Sequence, residues 1–207
     1  MSTTASKIAI YAVLCILLTG CSTAHVEKKL RPNPATESAV LVGSISYTGS
    51  PSLYKIGFKE VKNGNIHWIE VGKAEALSEL LTKYDLKNHG IKGNIFGLEL
   101  SPGHYKFDRW IIRGGTAEIT NPKDFNIEIE ITAGKSFYIG NFNFKQTKSY
   151  GLSVAGANLI LSNQYDRDAQ EISKKYPLLG KLLIPTNIKI DHSIEFTNNL
   201  TFKISYE

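Results

Sequence analysis

Three residues stand in the chain order of a hydrolytic triad: Ser153, within "GLSVA" (151–155), then Asp168, then His192. In α/β hydrolases the serine of Gly-x-Ser-x-Gly is exposed on a sharp strand-to-helix turn, and a histidine oriented by an acid takes its proton. Here the last position is Ala155, Ser153 lies inside a strand-like run, and no βαβ repeat exists to build the required sheet. No catalytic residue is therefore expected. Metal chemistry has as little support. The histidines at 25, 67, 89, 104 and 192 show no two-ligand spacing on one element. His67 and Glu70, three apart on a strand, point to opposite faces. Asp166 and Asp168 open a predicted helix, where acids favour the positive end of the helix dipole. No metal and no cofactor are expected. Trp68 and Trp110 have the ring faces that stack on sugars, although such rings more often pack a core. Trp110 is out of phase with Tyr105 and Phe107, which predicts a bulge near Asp108-Arg109 and a side chain turned outward. Trp110 is accordingly the candidate ligand-binding residue.

The other reactive residue is Cys21. Residues 1–7 are polar with one positive charge, Lys7, and Ile8–Leu18 is almost wholly apolar. Eleven apolar residues are too few to span a bilayer, which takes about 20, but they suit an export signal that is later removed. Leu18-Thr19-Gly20-Cys21 resembles the lipobox of bacterial lipoproteins. The resemblance implies cleavage after Gly20, a diacylglyceryl thioether on Cys21 and an acylated new amino terminus. It implies a protein tethered to a membrane rather than inserted in one, since two or three acyl chains hold a protein stably. Ser22 stands where an Asp commonly signals inner-membrane retention, which implies the outer membrane, facing the periplasm, in a Gram-negative host.

Cysteine usage agrees. Cys15 would leave with the signal and Cys21 would carry lipid, so the mature chain has no disulfide and must be stable through its core. The formal charge of +5 falls by one when Lys7 is removed. That mild, scattered basicity suits anionic headgroups and does not suggest nucleic acid. Between the cysteine and the first strand lies "STAHVEKKLRPNPATES" (22–38), polar, with Pro32 and Pro34 and no hydrophobic period. It reads as a linker. Extended, it reaches about 50 Å at roughly 3.1 Å per residue. The chain thus divides into a signal (1–20), a lipidated cysteine with linker (21–38) and one domain (39–207).

Alternation dominates that domain. "NIEIEIT" sets Ile127, Ile129 and Ile131 opposite Glu128 and Glu130, and "LTFKISY" (200–206) and "IKIDHSIEF" (188–196) repeat the pattern. Further strands are expected at 40–48, 53–62, 65–72, 94–100, 104–113, 136–147 and 151–161, separated by Gly, Pro and Asn turns. The reading is mainly β: an antiparallel sandwich, immunoglobulin-like in its layering, with two short helices. One helix, 74–86, would put Leu77, Leu80, Leu81 and Tyr84 on its buried stripe; the other, 165–176, would stop before Pro177. "LSPGHYKF" (100–107) and "ITAGKSFYIGNF" (131–142) resemble the Pro-Gly-x-Tyr and Gly-x-x-Tyr-x-Gly corners of transthyretin-like and carboxypeptidase regulatory-like sandwiches. That resemblance implies a binding or scaffold module. At the C-terminal end, a three-residue loop 197–199 would pair Phe196 with Leu200, Ile194 with Phe202 and His192 with Ile204, making His192 structural.

"YPLLGKLLIP" (176–185) crowds Leu178, Leu179, Leu182, Leu183 and Ile184 between two prolines. Two readings are open: the segment closes the sandwich, or it is an exposed partner-binding surface. The sequence as a whole points to a lipid-anchored envelope module that binds or scaffolds another component, an envelope protein being the expected partner. A glycan- or small-ligand-binding lipoprotein is the alternative.

Overall fold

In "IEIEI" the alternation becomes geometry: the three isoleucines are buried and the two glutamates exposed. The same period-2 logic lays down most of the chain in the computed structural model, which describes residues 38–114, 117–121, 125–179, 183–185 and 194–197. In chain order the elements are β1 (Ala39–Thr48), β2 (Leu53–Glu60), β3 (Ile66–Val71), α1 (Ala76–Leu80), a 3-10 turn (Lys87–His89), β4 (Lys92–Leu100), β5 (Gly103–Gly114), β6 (Ala117–Thr120), β7 (Ile127–Ile131), β8 (Ser136–Tyr150), β9 (Ser153–Ser162), α2 (Tyr165–Lys175), β10 (Leu183–Pro185) and β11 (Ile194–Thr197).

The strands form two sheets. One runs β11-β9-β8-β1-β4, with β10 beside the start of β8; the other runs β3-β2-β5-β6, with β7 also on β5. The fold is a β-sandwich, as the alternation predicts, but not wholly antiparallel. β1 and β10 both pair parallel to β8. Between the sheets lies an aromatic core: Phe107 meets Phe142 at 5.3 Å, and Trp110 and Tyr54 meet Phe144 at 5.7 and 5.4 Å between ring centroids. Offset and edge-on aromatic pairs of this kind add roughly 0.5–1.5 kcal/mol each beyond their buried area.

β1 departs from simple alternation because both its faces are covered. Leu41, Ile45 and Tyr47 point into the inter-sheet core, while Val40 and Val42 meet Ile172, Tyr176 and Leu179 from the α2 region. A near-continuous apolar run is what a doubly covered strand requires. At Gly43 the parallel β1–β8 register shifts, and an added Cβ would lie 2.7 Å from the Gly140 carbonyl oxygen. Only glycine permits that approach.

Two pentapeptides of one pattern, Ser-Pro-x-x-Tyr, turn corners. The Tyr54 hydroxyl donates to the Ser50 carbonyl at 2.8 Å, and Tyr105 donates to Ser101 at 2.9 Å. Each ring is buried while its hydroxyl ties back four residues, the logic of a tyrosine corner. Burial raises both hydroxyl pKa values, that of Tyr105 to about 12, so both remain donors at neutral pH.

The open edge of β4 is sealed by a charge pair. Asp85 accepts from the Ile95 N–H at 2.9 Å and from Lys175 at 2.7 Å, and Lys175 donates to the Ile95 carbonyl at 2.7 Å. An unpaired strand edge invites another chain, and capping it with side chains removes the template over these residues.

Candidate binding surface

The domain has two distinct ends. Ser38 leads into β1 at one of them. At the other, Tyr47 sits opposite Lys92 of β4, Thr48 sits opposite Lys145 of β8, and residues 49–52 turn into β2. This far end also holds α1 and the tip of the β8–β9 hairpin. The hairpin outruns β1 by five residues, to the Tyr150–Ser153 pair, or roughly 16 Å at about 3.3 Å per residue. Gly151, at φ +57°, opens its two-residue loop, and a glycine at that position is the signature of a type II′ hairpin.

Both segments hold large apolar side chains in solvent. Leu77 is 80% exposed, Leu80 81% and Leu81 85%; Tyr150 is 81% and Leu152 90%. This corrects the expected helix over 74–86 with its leucines inward. α1 spans five residues, and the residue it buries is Glu79. The carboxylate accepts from Tyr84 at 2.6 Å and from Tyr47, and Lys92 approaches to 3.5 Å. At 100° per residue, a helix with Glu79 turned inward must carry Leu77 and Leu81 on its opposite side and Leu80 on its flank. Burial, and then hydrogen bonding to Glu79, raises the hydroxyl pKa of both tyrosines, so they remain protonated donors. The anchor is polar, and the apolar residues are left over.

Lysines surround the exposed groups. Lys73, Lys83, Lys145 and Lys148 are exposed, and none has an ion-pair partner among the described residues. Glu75, at the N-cap of α1, is an exposed acid beside them; the exposed Glu70 and Glu118 near this end are paired with Lys55 and Arg113.

The residues singled out in the sequence fall elsewhere. Trp110 is buried at 0% exposure, so its side chain is turned inward and not outward as expected, with no ring face open to a ligand. The bulge is present: Gly57 pairs with Arg109 and Phe58 with Phe107, skipping Asp108. Its effect is the reverse of the expected one, because the extra residue resets the phase so that Trp110 and Ile112 join Tyr105 and Phe107 inside. Trp68 is the surface tryptophan. It is half-buried on the outer face of the five-stranded sheet, lying against Gly57 with Lys55 5.3 Å from its ring. Asp108 on the same face is lowered to a pKa of about 2, chiefly by its hydrogen bond to Arg109 and further by Lys59.

Ser153 and Asp168 are far apart. Ser153 opens β9 at the hairpin tip. Asp168, fully buried on α2, accepts from Ser44 at 2.6 Å and Tyr138 at 2.7 Å and pairs with Arg167 at 2.7 Å. Tyr138 and Tyr150 are twelve residues apart on β8, some 35–40 Å along a strand. His192 lies outside the described residues, as do Leu182 and most of the expected 188–206 hairpin. The described part of that hairpin, β11, pairs with β9, Ile194 opposite Leu161. Among the described residues, no three His, Cys, Asp or Glu stand close enough to hold a metal ion.

The segment 176–185 divides between its two readings. Leu179 is fully buried and Leu183 partly so, packed with Tyr176 on the outer face of the six-stranded sheet, while Leu178 is 37% and Ile184 44% exposed. Its described part closes a face of the sheet rather than an end of the sandwich. Sequence reasoning missed Tyr150 and Leu152, although one signal was present: a leucine inside a two-residue hairpin turn, with a tyrosine just before it. No family model, curated protein or solved structure matches the chain.

Proposed function

We propose that this chain is a lipid-anchored cell-envelope lipoprotein, held through Cys21 and facing the periplasm, whose β-sandwich is a non-catalytic module that binds another envelope component with its far end. One observation carries the reading: five large apolar side chains, on two separate segments, stand 80–90% exposed at the end remote from the tether. Isolated exposed apolar residues are ordinary, but a concentration at one end of a domain marks an interaction site. The corresponding polar groups are committed elsewhere, since Asp168 and Glu79 are each consumed by structural hydrogen bonds.

Photo-crosslinking in intact cells tests the proposal, with a photoreactive residue at 80, at 152, or at 61 near the tether end. Adducts at 80 and 152 but not at 61 are expected, and Cys21→Ser should abolish them by removing the tether. Equal yields at all three positions would sink the far end as the binding surface. A second reading, a glycan-binding module, is favoured by Trp68, whose half-open ring lies beside Lys55 and Arg109 on the outer face of the five-stranded sheet. Trp68→Ala would separate the two: loss of retention on purified cell wall supports the glycan reading alone.

A further inference from the structure

We infer that the far end docks on an anionic lipid bilayer, with Leu77, Leu80, Leu81, Tyr150 and Leu152 entering the headgroup–acyl boundary and the surrounding lysines binding the headgroups. This rests on the proposed function, whose binding surface it shares, and it names the target.

Three features favour a bilayer over a protein. First is shape. The apolar groups sit on a short helix and on a hairpin that projects beyond its neighbouring strand, each highly exposed rather than gathered on a flat face. A stable protein interface needs roughly 800 Å² of complementary surface on each partner. A bilayer instead accepts separate side chains that penetrate about 5–10 Å. Second is charge. Lys73, Lys83, Lys145 and Lys148 stand free of ion pairs among the described residues, whereas of the exposed acids near them Glu70 and Glu118 are already paired with Lys55 and Arg113, leaving Glu75. Long aliphatic stems ending in ammonium groups cover an apolar boundary while reaching phosphate, and a tyrosine at the tip is likewise suited to an interface. Third is reach. β1 with the hairpin overhang is about 50 Å long at roughly 3.3 Å per residue, and a seventeen-residue linker extends about as far. The far end can therefore meet the same membrane that holds the lipid.

A spin label on Leu152→Cys provides the test, because a mature chain lipidated at Cys21 has no other free thiol. The protein, purified from membranes, is reconstituted into vesicles of phosphatidylcholine with one-third phosphatidylglycerol, and into vesicles of phosphatidylcholine alone. The label should become accessible to oxygen and shielded from a water-soluble relaxation agent on the anionic vesicles only. A label on Val61→Cys should remain in water on both. Lys145→Gln with Lys148→Gln should lower the docked-to-undocked ratio about fivefold per charge removed, and Leu77→Ser with Leu80→Ser and Leu81→Ser should abolish docking. A label at 152 that stays in water on anionic vesicles, yet is immobilised away from oxygen in native envelopes, would overturn lipid docking and leave the far end as a protein-binding surface. A label mobile and in water in both settings would overturn lipid docking and the proposed function together.

Discussion

The two α-helices solve the same problem with opposite outcomes. Each turns an acid toward the six-stranded sheet: Asp168 of α2 takes Ser44 and Tyr138, and Glu79 of α1 takes Tyr47 and Tyr84. Ser44 and Tyr47 both belong to β1, so one strand anchors both helices. Around Asp168, however, Ile172, Tyr176 and Leu179 fill the sheet's outer face, whereas around Glu79 no leucine of α1 finds the core. A helix that keeps three leucines at its solvent face, where a rotation could bury them, is held there by its polar anchor. The difference separates a helix that builds the domain from one that the domain presents.

Substitutions at the anchors sharpen the contrast. Asp168→Ala should have the largest effect, because it strands the buried Ser44 and Tyr138 hydroxyls and the Arg167 guanidinium. Breaking a buried charge pair costs roughly 3–5 kcal/mol, read as a loss of urea midpoint. Glu79→Ala leaves two hydroxyls without their acceptor, at roughly 2–3 kcal/mol. Its distinguishing mark is local: amides of 76–82 should lose hydrogen-exchange protection while the Asp168 neighbourhood keeps its own.

Asp108 gives a third, smaller effect on the sheet face that no described helix covers. Its folded pKa of about 2 lies below the ordinary 3.8, so the charged form is the one that folding favours. The stability it confers is present above pH 4 and is lost as the pH falls through about 2. At 1.36 kcal/mol per pH unit the full shift would correspond to roughly 2 kcal/mol, and solvent screening at this surface reduces the contribution to about 1 kcal/mol. Asp108→Asn should remove that part of the acid dependence between pH 4 and 2 and leave the behaviour of both helices unchanged.

Strand placement was legible in the sequence because period-2 burial is a local signal. The runs at 53–62, 65–72, 104–113 and 136–147 became β2, β3, β5 and β8 with their ends moved by a few residues. The bulge at Asp108 was legible too, from the phase slip of Trp110. Its direction was not, because a phase slip does not say which side the core lies on. The parallel β1–β8 pairing is set by connectivity that no local pattern encodes. The exposed apolar surface was hidden for a related reason. A helical spacing of leucines reads as a buried stripe, and only the distant Tyr47, thirty-two residues away, shows that Glu79 takes the inner position. β6 and β10 are too short to carry a pattern of their own.

Because Leu77, Leu80 and Leu81 stand in solvent, folding should not depend on them. Exposed side chains away from caps and networks usually change stability by no more than about 0.5 kcal/mol when replaced. The direct measurement is the urea unfolding midpoint of the chain with Leu77→Ser, Leu80→Ser and Leu81→Ser together. A total change within roughly 1.5 kcal/mol, at unchanged m-value, is the result expected of three exposed residues. A loss of 6 kcal/mol or more, on the order of 2–5 for each core leucine removed, would show that the leucines are packed inside.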